Sequence, residues 1–449
     1  MNAVAAEFFE TAARTRTLTR AGKIFISVML LVILEGAMRK WVSTASTLPL
    51  VLLRDLLAVF LIFHAWRFGH FRRQKAVALT MLAWSCAVLA WGLLQLVIGE
   101  SSPVLLLIGL RFWLLYTWFA VAAAASMTES DFRVSVLVAV WTMLLMAPLA
   151  VLQHFSPVGA RINAQTEGGD EEGVFVAVSG VVRTTGTFTF TAGFTYFMGM
   201  MAPLALGMLS ASKRMPRQYL FSIAVFIAFA VGTMVSGSRT AVVNAGAMFG
   251  LYLVGRLAFS KMRDKPAAAA AVVVAVLLVG VFGLFFREAI DVTQSRFAQA
   301  ADSEDFLSRV MTMFFGESDT FAQVDWIGRG IGLGSNLATF VRFGQSTFFP
   351  LAESEGSRIL LEGGLLGVAY IILKVGVIGI GLVRSLWISR TSNSPFPSLL
   401  WASVLVAGIT WSAIGQLTAN GMLGVVFAFA LLIFRFPHFE LFPKRALST

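Results

Sequence analysis

The sequence has one cysteine, four histidines and few charges, with only 13% of its 449 residues Asp, Glu, Lys or Arg. The lone Cys86 excludes an intrachain disulfide and a cysteine metal cluster. The scarcity of charge excludes an ordinary soluble domain, in which about a quarter of residues are charged. Acidic residues are the scarcer sign, 24 against 35 Lys and Arg, for a formal net charge of +11. That excess does not mark a nucleic-acid binder, because the basic residues sit in short connections between apolar runs. No small-residue cleavage pattern follows the basic first 23 residues, so the first apolar run is expected to stay as a signal anchor.

What the sequence has in abundance is apolar: 57% hydrophobic residues, including 40 Phe and 11 Trp. The runs are continuous rather than alternating and reach the ~20 residues that a helix needs to cross a bilayer, which predicts helices and not a barrel. They predict spans at 24–42, 48–66, 76–98, 104–126, 132–154, 189–211, 217–235, 239–258, 266–286, 357–384, 397–415 and 418–435. The expected fold class is an all-α polytopic membrane protein of about 12 transmembrane helices with a large helical loop on its outer face. Three regions follow: the N-terminal spans over 1–286, with an outer loop at 155–188; a large outer loop over 287–356; and the last three spans with their tail over 357–449.

Lys and Arg set the orientation. Arg14, Arg16, Arg20 and Lys23 precede the first span, and every second connection is again basic: Arg67, Arg72, Arg73 and Lys75; Arg133; Lys213, Arg214 and Arg217; Arg256, Lys261, Arg263 and Lys265; Arg384 and Arg390; then Lys444 and Arg445. Both termini are therefore expected in the cytoplasm, with Arg39 and Lys40 the one outer exception. Both long loops then fall outside. The larger carries amphipathic stretches at 287–300 and 304–315 and the glycine-rich GRGIGLGSN at 328–336, and reads as helices capping a cavity or as a packing lid. GRGIGLGSN lacks the strand–helix setting of a dinucleotide fingerprint. The acidic run GGDEEG at 168–173 reads as a loop tip.

Ionisable residues inside spans are costly, and those present are informative. Glu35, Arg54, Asp55 and Arg111 all lie toward the outer ends of their spans. Arg54 and Asp55 adjoin, so they point about 100° apart and need different partners. Structural pairing with Glu35 or Asp55, or contact with a substrate, accounts for both arginines. Lys374 lies deep in the tenth span, where its stem is expected to snorkel to the cytoplasmic side. Arg183, Arg239 and Arg358 sit at the outer ends of three spans, where arginine should be depleted. Guanidinium groups bind phosphate bidentately, so a shared anion is one reading and separate lipid contacts are the other. Ser236, Ser238 and the helix start beside them would add hydroxyl and N–H donors.

Three fragments carry a resemblance: RTTGTFTFTAGF at 183–194, SGSRTA at 236–241 and ESEGSRILLEGGLLG at 353–367, with a long outer loop between the second and third. In this order they resemble the O-antigen polymerase and ligase superfamily of bacterial membrane glycosyltransferases over roughly residues 180–370. The ligases carry a histidine–asparagine pair about nine residues before the closing glutamate. Here Glu353 and Ser354 stand there, ahead of Glu362, and none of His64, His70, His154 and His438 lies in that loop. The resemblance is thus nearer the polymerase-like, exopolysaccharide branch, whose pattern is similar to E-x-E-x-x-R.

The resemblance implies a GT-C-like architecture in the bacterial inner membrane. It implies a polyprenyl-pyrophosphate-linked oligosaccharide as donor and a lipid-linked sugar hydroxyl as acceptor, with the active site periplasmic. Arg239 and Arg183, then Arg358, would hold the pyrophosphate, and Arg111 or Arg54 would reach it from below. Glu353 or Glu355 would serve as base for the acceptor, or would pair with Arg358. This scheme needs no metal and no other cofactor. The partners implied are membrane lipids and a polysaccharide co-polymerase or flippase. The competing readings are a ligase that transfers the glycan to a lipid A core, and a transporter of lipid-linked oligosaccharide.

Overall fold

The computed structural model describes residues 18–164, 182–212, 215–261, 306–343 and 351–443 except 353, with scattered positions between 265 and 280. The run at 168–173, the stretch at 287–300, Glu353 and two thirds of the span expected at 266–286 lie outside the described residues. Among those described there is no β-strand. Ten helices are long and apolar enough to cross a membrane, and the protein is an all-α, multi-pass membrane protein.

These helices are α1 (Arg20–Trp41), α2 (Thr47–Arg67), α3 (Lys75–Ile98), α4 (Pro103–Ser126), α5 (Glu129–Phe155), α6 (Thr191–Ser210), α7 (Pro216–Val235) and α8 (Arg239–Phe259). After the larger loop come α13 (Leu365–Ser392) and α15 (Leu417–Arg435), with the shorter α14 (Phe396–Thr410) between them. The loop itself carries α9 (Phe306–Phe315), α10 (Ser318–Gln323), α11 (Asn336–Phe343) and α12 (Glu355–Gly363). The connection after α5 and the larger loop lie at one end of the bundle, the loop face, together with the short turns that follow α1, α3 and α7.

Local chemistry fixes the helix ends. Thr128 and Asp131 close a capping box at the start of α5, and Asp131 also accepts the N–H and hydroxyl of Thr19, the N-cap of α1. Two helices are therefore started by one buried carboxylate, which satisfies donors that each helix N-terminus leaves over. α3 stops at Gly99. The expected span at 357–384 is broken in two by Gly364, whose φ of +54° a side chain rarely adopts. There the N–H of Leu365 turns to the carbonyl of Trp326 at 2.9 Å. The membrane-crossing part thus starts at Leu365 and runs to Ser392.

That shift corrects the expectation for Lys374. It sits nine residues into α13, about 14 Å from the loop face at 1.5 Å per residue. Its Nζ lies 4.8 Å from the centre of the Phe314 ring, within electrostatic reach of Glu355. The stem runs toward the loop face, not toward the opposite one.

The bundle packs in two cores. The main one surrounds α6, whose membrane window is 89% buried, and draws on α1, α2, α4, α5, α7, α8, α14 and α15. A helix apolar on every side belongs at such a centre. The second core joins the larger loop to the spans: Phe314, Ile331, Ala338, Ile359 and Leu360 pack with Leu105, Phe112, Trp113 and Ile414. The loop is thus embedded in the bundle. By contrast, α3 is only 17% buried and gives most of its surface outward.

Candidate functional site

The segment that opens with Arg183 is held from three directions. Gln153, buried near the end of α5, accepts the N–H groups of Thr185 and Gly186 at 3.2 and 2.7 Å and donates to the Gly186 carbonyl at 3.0 Å. Lys40, from the end of α1, donates to the Thr185 hydroxyl at 2.8 Å and to the Gly186 carbonyl at 2.9 Å. Thr184 donates to the Val235 carbonyl at 3.2 Å, which ties the segment to the end of α7. Lys40, the exception to the charge rule, is thus a clamp on this turn.

The clamp sets Arg183 against the turn between α7 and α8. Gly237 has φ +61°, and a side chain there would approach the Arg183 Cγ to 3.3 Å. Ser238 caps α8 by accepting the Ala241 N–H at 3.3 Å, while the buried Ser236 hydroxyl donates to the Thr233 carbonyl at 2.6 Å. Both hydroxyls shape the turn, unlike the free donors expected of them. Arg239 is the first residue of α8. Arg183 and Arg239 are charged neighbours, and burial, then the Arg239 charge, lowers the Arg183 pKa from the usual arginine value. The Arg183 Nε is buried with no acceptor among the described residues. Two guanidiniums within electrostatic reach of each other beside a helix N-terminus are an arrangement whose charge and N–H geometry suit an anion.

Arg358 belongs to a second cluster. It is fully buried, donates from Nε and Nη2 to the Ala352 carbonyl at 3.3 and 2.9 Å, and reaches Glu355 Oε2 from Nη1 at 3.5 Å. Gly415 and Gly334 leave room for it, since a side chain at either would strike the guanidinium or its stem. The other Glu355 oxygen accepts the Ile414 N–H at 2.7 Å. Glu355 is therefore committed to Arg358 and to the unwound stretch before α15, while Glu353 lies outside the described residues. Tyr196 stands near the start of α6, donates to Gln416 at 2.9 Å, and lies within electrostatic reach of Glu355 and Arg358.

Arg54 and Arg111 form a third group. Arg54 is fully buried and donates to Glu35 at 2.6 Å. Arg111 grips Asp55 with two bonds of 2.7 and 3.1 Å, and Tyr116 donates to the same carboxylate at 2.9 Å. Residues 111–115 form a single π-helical turn, and Asn420 donates to the Phe112 carbonyl there at 3.0 Å. The adjoining Arg54 and Asp55 take Glu35 and Arg111 as their nearest partners, and Arg54 Nε also lies 3.7 Å from Asp55 Oδ1. These two arginines are engaged with carboxylates, so neither is brought to the Arg183–Arg239 pair.

Sequence reasoning missed Glu362 as a working residue. Its buried carboxylate accepts the N–H groups of Gly332 and Gly334 at 3.0 and 2.8 Å and the Trp113 indole N–H at 3.0 Å. The glycine-rich loop is thus an anion nest occupied by the chain's own glutamate. Gln95, buried in α3, holds the same loop by donating to the carbonyls of Ile327 and Glu362 and accepting the Ile331 N–H. The available signal was polarity in the wrong place: Gln95 and Gln153 are amides within apolar runs, where a polar group needs a partner.

In comparisons with known proteins, no family model matches the chain and no curated protein is found to be similar to it.

Proposed function

We propose that the protein is a glycosyltransferase of the bacterial inner membrane. On this reading it moves a glycan from a polyprenyl-pyrophosphate donor to a sugar hydroxyl of a lipid-linked acceptor, on the periplasmic side, within a GT-C-like bundle. The observation that carries it is the Arg183–Arg239 pair, drawn from two distant stretches and joined at one glycine turn beside a helix N-terminus. Like charges so placed are unfavourable alone and favourable around a diphosphate. The three motifs at 183–194, 236–241 and 353–367 support the choice of donor by resemblance.

The acceptor oxygen bonds to the anomeric carbon as the bond from that carbon to the phosphate oxygen breaks. The electron pair leaves with the polyprenyl pyrophosphate, and the acceptor proton passes to a carboxylate. Arg183 and Arg239 stabilise the charge that grows on the departing oxygen. Fixed cations aimed at a developing charge lower the barrier more than any other contribution such a site can make. Glu355 is occupied by Arg358 and Ile414. The base in this scheme is therefore Glu353, and Arg358 is a positioning residue.

Purified protein supplied with a defined polyprenyl-pyrophosphate oligosaccharide tests the proposal. A ladder of longer lipid-linked products is expected. Passage of intact substrate across a proteoliposome membrane without elongation would replace it with a transporter.

A further inference from the structure

The face opposite the long loops holds a second basic cluster that the proposed reaction does not use. Five groups from four parts of the chain meet there. Arg20 opens α1, His64 lies in the last turn of α2, His70 and Arg73 lie in the short 3-10 helix at His70–Gln74, and Arg435 ends α15. Gly69, at φ +67°, reverses the chain so that the rings of His64 and His70 face each other at 5.8 Å. Arg20 acts on His64; His64, Arg73 and Arg435 act on His70; and Arg73 acts on Arg435, so the five form one chain of electrostatic neighbours.

Three features make this a built site and not scattered surface charge. Arg435 is fixed: its Nη1 donates to the carbonyls of Ala124 and Ala125 at 2.9 and 2.8 Å, at the C-terminus of α4. No carboxylate among the described residues pairs with Arg20, Arg73 or Arg435. Asp131, the acid beside the start of α1, is buried and spent on Thr19 and Thr128. Large aromatics flank the cluster in the open: Trp66 is 68% and Phe68 61% exposed. Exposed aromatic rings beside fixed cations are the pattern of a headgroup-level membrane contact.

We propose that Arg20, Arg73 and Arg435, with His64 and His70 between them, bind the phosphodiester group of an anionic phospholipid at the face opposite the loops. The arginines supply charge and directed N–H groups, and Trp66 and Phe68 lie at the level where acyl chains begin. A lipid phosphate there ties α1, α2 and α15 together, and so braces the end of the bundle farthest from Arg183 and Arg239.

The test uses the full chain in nanodiscs of phosphatidylcholine alone or with phosphatidylglycerol, and in detergent micelles with inorganic phosphate. Lipid retention is read by native mass spectrometry and thermal unfolding in parallel. Phosphatidylglycerol is expected to stay bound and to raise the unfolding midpoint, while millimolar inorganic phosphate gives no shift. The double variant Arg20→Gln, Arg73→Gln changes two exposed side chains and leaves the core intact. It should retain phosphatidylglycerol roughly thirtyfold more weakly, at about fivefold per arginine near an anionic surface. Arg20→Lys, Arg73→Lys should restore most of the retention. Equal retention by the glutamine variant, or an equal shift with phosphatidylcholine, would overturn the proposal. Full protection by inorganic phosphate would overturn the lipid as the source.

Discussion

At the loop face, Arg183 keeps one buried nitrogen without an acceptor among the described residues and has another arginine for its charged neighbour. Arg358 is fully buried and gives its guanidinium to the Ala352 carbonyl and to Glu355. The two look alike as sequence, each an arginine that precedes a span after a long loop. The difference lies in burial. A cation wholly withdrawn from water has to be neutralised within the protein, and Arg358, like Arg54 with Glu35, is. A cation left at the boundary can keep its capacity for a ligand. On the proposed reading the pair at 183 and 239 is the reactive region, and the cluster around 358 is the frame beside it.

Four changes would break or sharpen that contrast. The largest effect is expected at the reactive pair. Arg239→Ala should lower elongation by about a hundredfold to a thousandfold, the usual cost of losing one donor to a developing oxyanion, with monodisperse elution unchanged. Near-normal elongation by that variant would remove the pair from the chemistry. Arg358→Ala should instead act on the fold. Stranding a buried Glu355 costs ~3–5 kcal/mol, seen as a lower unfolding midpoint in a nanodisc. An unchanged midpoint together with lost activity would move Arg358 into the reactive region. Glu353→Gln is milder: the rate should fall about a hundredfold, the low end for loss of a general base, and its rise with pH should flatten, since an amide cannot take the acceptor proton. A wild-type pH profile would end its role as base. The smallest expected effect is none, on adding a chelator to the elongation assay, and a large loss would bring in a metal.

Much of the fold was legible because each span is a long apolar run. Nine of the ten crossing helices found among the described residues fall within a few residues of the runs that announce them. α13 is displaced because nothing in ILLEGGLLGVAY tells a helix that stops at Gly363 from one that continues; the stop comes from Trp326, far away in sequence. The site was partly legible. Arginines against the positive-inside rule flagged Arg183 and Arg239, and adjacency required Arg54 and Asp55 to find separate partners. The role of Glu362 was hidden because a carboxylate's partners here are backbone N–H groups of a distant glycine run, and backbone donors leave no mark on composition. Lys40 read as an anomaly of topology because its partners, Thr185 and Gly186, lie across a long loop.

The fastening of residues 326–336 has a mechanical consequence. Trp91 and Gln95 from α3 and the start of α13 all hold this stretch, and Glu362 would be stranded in an apolar core without its three donors, two of which the stretch supplies. It is a keystone more than a flap and must travel with the spans around it. On the proposed reading, a substrate with a long isoprenoid tail would find no hatch to lift at this point of the roof and would have to come in sideways, through the wall of the bundle.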